Sequence, residues 1–267
     1  MNQPIFSIQA GDSPLVAAAI HDGSRIRAEL HSYLALDGPG RLREEDPHTA
    51  VWARIAPTHL IGLQSRFEVD LNRPRPKAVY QTPEDAWGLT VWKENLPDEI
   101  VNRSLEGYDA FYTELKKVLI RLVEKHGNFV VYDLHSYNHL RQGVEGPEAD
   151  PLENPEVNIG TGNMNRQRWA PVVEQFMIDL HTYDFQGRHL DVRENIKFKG
   201  GYFSQWIYEQ FPDESCVMAI EFKKFFMNEW TGEVYPGALE AISDALKSTI
   251  PTVLKAREKV SVKQMQR

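Results

Sequence analysis

The chain carries one cysteine, Cys216, in 267 residues. An internal disulfide is therefore impossible, and that usage fits a reducing, cytoplasmic setting. Beside the apolar run Val217–Ile220, Cys216 reads as a small core hydrophobe rather than a nucleophile. Excess positive charge is missing as well: 30 basic residues stand against 38 acidic ones, a formal net charge of −8. That balance argues against a broad phosphate-binding face for nucleic acid and against a polybasic membrane anchor. It leaves room for a small anionic ligand, which needs only a few well-placed arginines. No apolar run approaches the ~20 residues that span a bilayer, and no basic segment followed by an apolar stretch marks a signal peptide. Repeats and low-complexity linkers are absent. So are a complete P-loop or dinucleotide fingerprint, since Gly160-Thr161-Gly162 lacks the further glycine and the basic residue. There is no Gly-x-Ser-x-Gly elbow, and Ser136 is not activated merely by following His135.

What remains is ordinary globular composition, with 42% hydrophobic and 25% charged residues. It suits one α/β domain over residues 1–267, with the polar stretch 258–267 as a flexible tail. Short apolar runs rich in β-branched residues read as buried strands at Leu15–Ile20, Leu60–Leu63, Phe129–Tyr132 and Val217–Ile220. Helical periodicity predicts helices over Tyr108–His126, stopped by Gly127, and over Arg166–His181. Ala238–Thr249 and Thr252–Lys259 read as two helices parted by Pro251. The alternation implies a mixed, largely parallel sheet with helices on both faces, whose active site forms where strands end.

The residues after those strands are polar: His21, then Asp133-Leu134-His135, then Glu221. Two imidazoles and a carboxylate make a common catalytic zinc set; the alternative is a pair of histidines satisfied by ordinary hydrogen bonds. Asp133, two residues before His135, shares its side of an extended chain and would fix its tautomer. The acidic run Glu44-Glu45-Asp46 supplies a third ligand, from Glu45 or Asp46. Against that, Asp46 before Pro47 resembles the cap of a helix over Pro47–Ile55, with His48 in its solvent-facing first turn. Arg66, Asn72 and Arg73 offer donors for a carboxylate, or else form a surface network with Asp70. Glu221 in an apolar setting would have a raised pKa suited to proton transfer; a buried salt bridge to Lys223 or Lys224 is the other reading. Gly200-Gly201-Tyr202 is a mobile loop over the site or simply a turn.

The ordered set His21-Asp22-Gly23, Glu45-Asp46, Ser65-Arg66-Phe67 with Asp70-Leu71-Asn72-Arg73, Asp133-Leu134-His135-Ser136, Lys199-Gly200-Gly201-Tyr202 and Ile220-Glu221 resembles the N-formylglutamate amidohydrolase family. That family is similar to zinc carboxypeptidases and aspartoacylases, with a phosphorylase/hydrolase-like α/β fold. The resemblance implies one zinc ion on His21 and His135, with Asp46 as third ligand and Glu45 its substitute; other divalent metals would fit. It further implies that Arg66, Asn72 and Arg73 hold a substrate carboxylate or amide oxygen, Glu221 acts as general acid and base, and Gly201 and Tyr202 line the substrate. The expected reaction is hydrolysis of an N-acyl amino acid, such as N-formylglutamate to glutamate and formate in histidine degradation. Oligomeric state is left open. The pattern is broken at Ile20-His21-Asp22-Gly23, where deformylases have Pro-His-Ser-Gly. Asp133–His139 and Glu221–Trp230 also mark a distinct branch. Metal hydrolysis thus carries over better than substrate. A roomy cleft would favour a carboxypeptidase or deacylase with a longer substrate; a metal-free site without an open coordination position would favour a non-catalytic carboxylate-binding protein.

Overall fold

The structure, a computed structural model, describes residues 4–265, with side chains through Val260. Seven strands form one sheet in the order β1-β3-β2-β4-β7-β5-β6. Strands β2 (Leu15–Ala19), β3 (Thr58–Gly62), β4 (Phe129–Tyr137) and β7 (Ser215–Lys223) run parallel at its centre. At the flanks, β1 (Phe6–Gln9) lies antiparallel to β3. On the other side β5 (Val157–Gly160) lies antiparallel to β7 and parallel to β6 (Val192–Glu194). The central strands are buried on both faces, which is why they appear in the sequence as continuous apolar runs.

Alternation along the strands feeds two cores. Val130, Tyr132 and Leu134 of β4 pack with α2 (Thr49–Ala53), α4 (Ala170–Thr182) and α6 (Ala238–Met265); Phe129 and Val131 pack with α3 (Asp98–His126) and α5 (Tyr202–Gln210). The remaining helix is α1 (Gly38–Glu44). Helix α3 buries Phe111, Leu115, Leu119 and Leu122 as its periodicity predicts, but starts at Asp98, ten residues before the expected Tyr108. Its first turns carry polar residues on the exposed side, so the apolar stripe alone placed the start too late. Helix α6 runs unbroken through Pro251. Its buried stripe of Ile242, Ala245, Leu246, Val253 and Ala256 continues across the proline, and packing against α4 outweighs one lost backbone bond on the exposed side. Of the tail expected over 258–267, the backbone to Met265 is helical, and Gln266 and Arg267 lie outside the described residues. No helix among the described residues is long and apolar enough to cross a membrane.

Strands β4 and β7 are longer than their apolar cores. Asp133 and His135 belong to β4, and Glu221 to β7; these polar residues do not follow the strands but extend them. β2 instead leaves the sheet, and two glycines let it do so. A Cβ on Gly62 would lie 2.2 Å from the Ile20 carbonyl oxygen, and one on Gly23 would lie 2.3 Å from the Leu63 carbonyl carbon. The chain carrying His21 thus rides in backbone contact over the end of β3. Gly62→Ala is expected to cost about 1–3 kcal/mol through overpacking and to displace His21; chemical denaturation and metal titration check both effects.

Candidate active site

The parallel register of β4 and β7 pairs His135 with Glu221, so their side chains stand on one face. Asp133, two residues back on β4, shares that face. His21 arrives from the end of β2, and the two imidazole centroids lie 5.1 Å apart. The rings are held alike. His21 Nε2–H donates to Asp70 Oδ1 at 2.7 Å, and His135 Nε2–H donates to Asp133 Oδ1 at 2.9 Å. Each Nδ1 then faces one carboxylate, Asp46 Oδ2, at 3.4 Å from His21 and 2.9 Å from His135. Buried aspartates behind both rings set which nitrogen is presented.

His21, Asp46 and His135 offer ligand atoms that all lie within 4.8 Å of one another. His21 Nδ1 is buried without a hydrogen-bond partner, as expected of a nitrogen waiting for a cation. The donor set, two imidazole nitrogens and one carboxylate oxygen, fits a divalent ion such as zinc. Burial alone would raise the Asp46 carboxyl, but the His135 hydrogen bond and the His21 imidazole beside it hold it below the usual carboxylate range. Burial likewise opposes charge on His135, yet the Asp133 and Glu221 carboxylates hold its pKa well above the ordinary imidazole value.

Asp46 is not the cap of the following helix. Helix α2 starts at Thr49, and His48 precedes it in the left-handed region, which turns the Asp46 side chain inward. His48 lies outside the cluster. Glu45, the competing third ligand, points away from the histidines: it accepts from Ser65 Oγ and pairs with Arg41 at 3.3 Å. Lys224 does not bridge to Glu221. It is buried, and its Nζ donates to the backbone oxygens of Arg43 at 2.6 Å and Glu45 at 2.9 Å, tying down the segment that presents Asp46. Burial draws its ammonium down to about 8. Asp70 belongs to the site although only a surface network was expected of it. It is fully buried and also accepts from Tyr80 Oη and from Arg66 at 3.0 Å. The Arg66–Asp70 spacing of four hinted at that pair, but nothing in the sequence ties Asp70 to His21, forty-nine positions away.

His21, Asp46, His135 and Glu221 floor a cavity of about 920 Å³. Arg66, stacked 4.7 Å over Trp87, lines one wall with Arg73 and Asn72. Asn72 Oδ1 accepts from Phe203 N at 2.8 Å, capping α5, while its amide lies against Gly201. A Cβ on Gly201 would fall 2.3 Å from Asn72 Oδ1, so only glycine fits there. Gly201 and Tyr202 therefore form the start of α5 at the cavity edge. The loop before them is held by Asn158, which is paired with Glu221 in the sheet. Its Oδ1 accepts from Lys197 N and its Nδ2 donates to Phe198 O, both at 2.8 Å. Burial pushes the Glu221 carboxyl up to about 7, opposed by the charge of His135.

Asp70→Asn and Asp133→Asn are each expected to weaken metal binding about 10–100-fold in competition with a chromophoric chelator. Asp46→Asn should lose the metal, whereas Glu45→Gln should retain it; metal retained by the first and lost by the second would reverse their assignment.

No curated protein matches the chain. Among solved structures, N-formylglutamate amidohydrolase from Ralstonia eutropha superposes with a TM-score of 0.73 at 18% identity, covering 97% of this chain and 99% of that one. A gene product of Agrobacterium tumefaciens does so with a TM-score of 0.68 at 17% identity, covering 96% and 97%. Identities this low carry the fold and not the substrate. The family model of N-formylglutamate amidohydrolase, however, matches residues 13–226, a span holding His21, Asp46, Asp70, His135 and Glu221. The chain thus belongs to the N-formylglutamate amidohydrolase family, whose chemistry is the hydrolysis of amides.

Proposed function

We propose that the protein hydrolyses the amide bond of N-acyl amino acids with one divalent metal ion, zinc by its donor set, held by His21, Asp46 and His135. The observation that carries this reading is the convergence of those three donors, each imidazole braced by a buried aspartate, on the floor of an open cavity beside Glu221. When bound, the ion would supply Lewis acidity, polarising the amide carbonyl and making a water nucleophilic near neutral pH. The protein's own groups do the rest. Glu221, raised to about 7, takes the proton from the attacking water and returns it to the leaving nitrogen. Arg66, whose charge is reinforced by Asp70 and stacked on Trp87, stabilises the negative charge developing on the amide oxygen. Arg73 and the free Nδ2 of Asn72 hold the carboxylate of the amino acid.

N-formylglutamate is the family's eponymous substrate. The cavity volume of about 920 Å³ far exceeds what a formyl group needs, which supports the second reading, a deacylase for longer acyl groups. Metal analysis of the purified protein, together with a turnover screen of N-acyl amino acids, tests the proposal; a metal-free protein that cleaves none of them overturns it. Glu221→Gln is expected to keep the metal and lose about 10²–10⁴-fold in kcat; undiminished turnover would remove Glu221 from its role. The base must be ionised, so kcat/KM should fall about tenfold per unit as pH drops through the Glu221 pKa, at pH 7 or below because a bound cation draws that value down. A flat profile from pH 5 to 8 would contradict it.

A further inference from the structure

The cavity has two cationic flanks, and the proposed reaction uses only one. Along the sheet, Arg66 and Arg73 follow β3 on one side of the histidines. Beyond Glu221 on the other side stands Lys197, after β6, and it lines the cavity together with Arg141, which follows β4. Lys197 is half-buried, and its Nζ donates to a neutral acceptor, Asn154 Oδ1, at 2.6 Å. Its electrostatic neighbours are Arg141 and Glu153; burial first, then the charge of Arg141, holds its ammonium below the usual range. Both cations line the cavity, and among the described residues the nearest carboxylate to either is Glu44, 3.9 Å from Arg141.

An apolar path connects them to the metal donors. Tyr137 stands two residues beyond His135 on the same strand face, about 7 Å along β4. Its ring packs edge-on against Phe198 at 5.5 Å, and Lys197 Nζ lies 5.4 Å from the Tyr137 ring and 5.7 Å from that of Phe198. A further cavity-lining residue, more than nine-tenths buried, has an unpartnered polar atom: Asn138 Oδ1. Buried polar atoms without partners call for a ligand or ordered water.

We propose that Lys197 and Arg141 form a second anion subsite on the acyl side of the scissile amide, and that the substrate is an N-acyl amino acid whose acyl chain ends in a carboxylate. The methylenes lie along Tyr137 and Phe198, and the terminal carboxylate pairs with the two cations. The distance from His135 past Tyr137 suits an acyl chain of four or five carbons. This inference rests on the amide-hydrolase reading, because that reading assigns the Arg66–Arg73 flank to the amino acid. Hydrolysis adds water across the amide, releasing the amino acid and a free dicarboxylate, with no other reactant required.

The test compares N-succinyl and N-glutaryl amino acids with the neutral N-butyryl and N-valeryl compounds of equal length, in wild type and in Lys197→Met/Arg141→Met. Wild type should favour the carboxylated acyl group at least tenfold in kcat/KM, and the variant should lose most of that ratio through KM. A ratio near one in wild type, or an equal ratio in both proteins, overturns the proposal. If the variant instead loses preference for N-formylglutamate over N-formylglutamine, the anion belongs to the amino-acid side and the acyl assignment is wrong. Calorimetric binding of glutarate separates the two readings, since it needs no turnover. At least tenfold weaker binding by the variant supports the subsite, and equal binding overturns it. Weaker binding with no amide cleaved by metal-loaded wild type would overturn the hydrolase reading, and the acyl assignment with it, while the anion subsite stands.

Discussion

Charge balance in one buried corner governs this structure. Asp46, Asp70, Asp133 and Glu221 meet where β2, β4 and β7 end, and Arg66 is the guanidinium bonded among them. Uncompensated burial of carboxylates costs several kcal/mol each, on the order of the whole stability of a domain. Each is compensated differently. Asp70 takes Arg66, Tyr80 and His21; Asp133 takes His135; Asp46 sits between both imidazoles; Glu221 yields by holding its proton to about 7. Against its burial, the Asp133 and Glu221 carboxylates favour a proton on His135, and a divalent ion taking its Nδ1 would displace that proton. The same geometry serves as a folded apo state and as a ligand set, which is why metal binding here should release protons.

The sequence makes the sheet legible where apolar runs are continuous and hides it where chemistry interrupts them. Leu15–Ile20 and Leu60–Leu63 lie within a residue or two of their strands because both faces are buried. β4 and β7 were read too short, since Asp133, His135 and Glu221 break the run that defines a strand from sequence. Those breaks were themselves the signal for function. β1, β5 and β6 are short and flanking, with Phe6 and Ile8 of β1 only partly buried, and they leave little trace. Glu45 and Asp46 could not be separated from sequence because adjacent side chains differ only in the direction the backbone gives them. That direction depends on Lys224, 179 positions away from Glu45, gripping the backbone of the segment. Asp70 was hidden for the same reason: its partner His21 is brought to it by the crossing of β2 over Gly62, a tertiary fact with no local signature.

Floor and wall of the cavity obey different rules. Part of the floor is built on strands in fixed register, where a slip of one residue would send His135 and Glu221 to the opposite face. His135 and Glu221 are therefore the part of the site that changes least easily, while His21 and Asp46 come from the connections after β2 and α1. The far wall is made of connections, which tolerate substitution and set specificity. In this chain those connections are tied to one another. His139 N donates to Glu229 at 2.7 Å, Trp230 Nε1 donates to Leu140 O at 2.7 Å, and Arg43 stacks 3.8 Å over Trp230. Asn138 reaches back to Glu44 at 3.0 Å. A change after β4 must then be met by one after β7, because each supplies the other's hydrogen bonds. Arg141 is carried on that wall by the Trp230 bond to its neighbour Leu140.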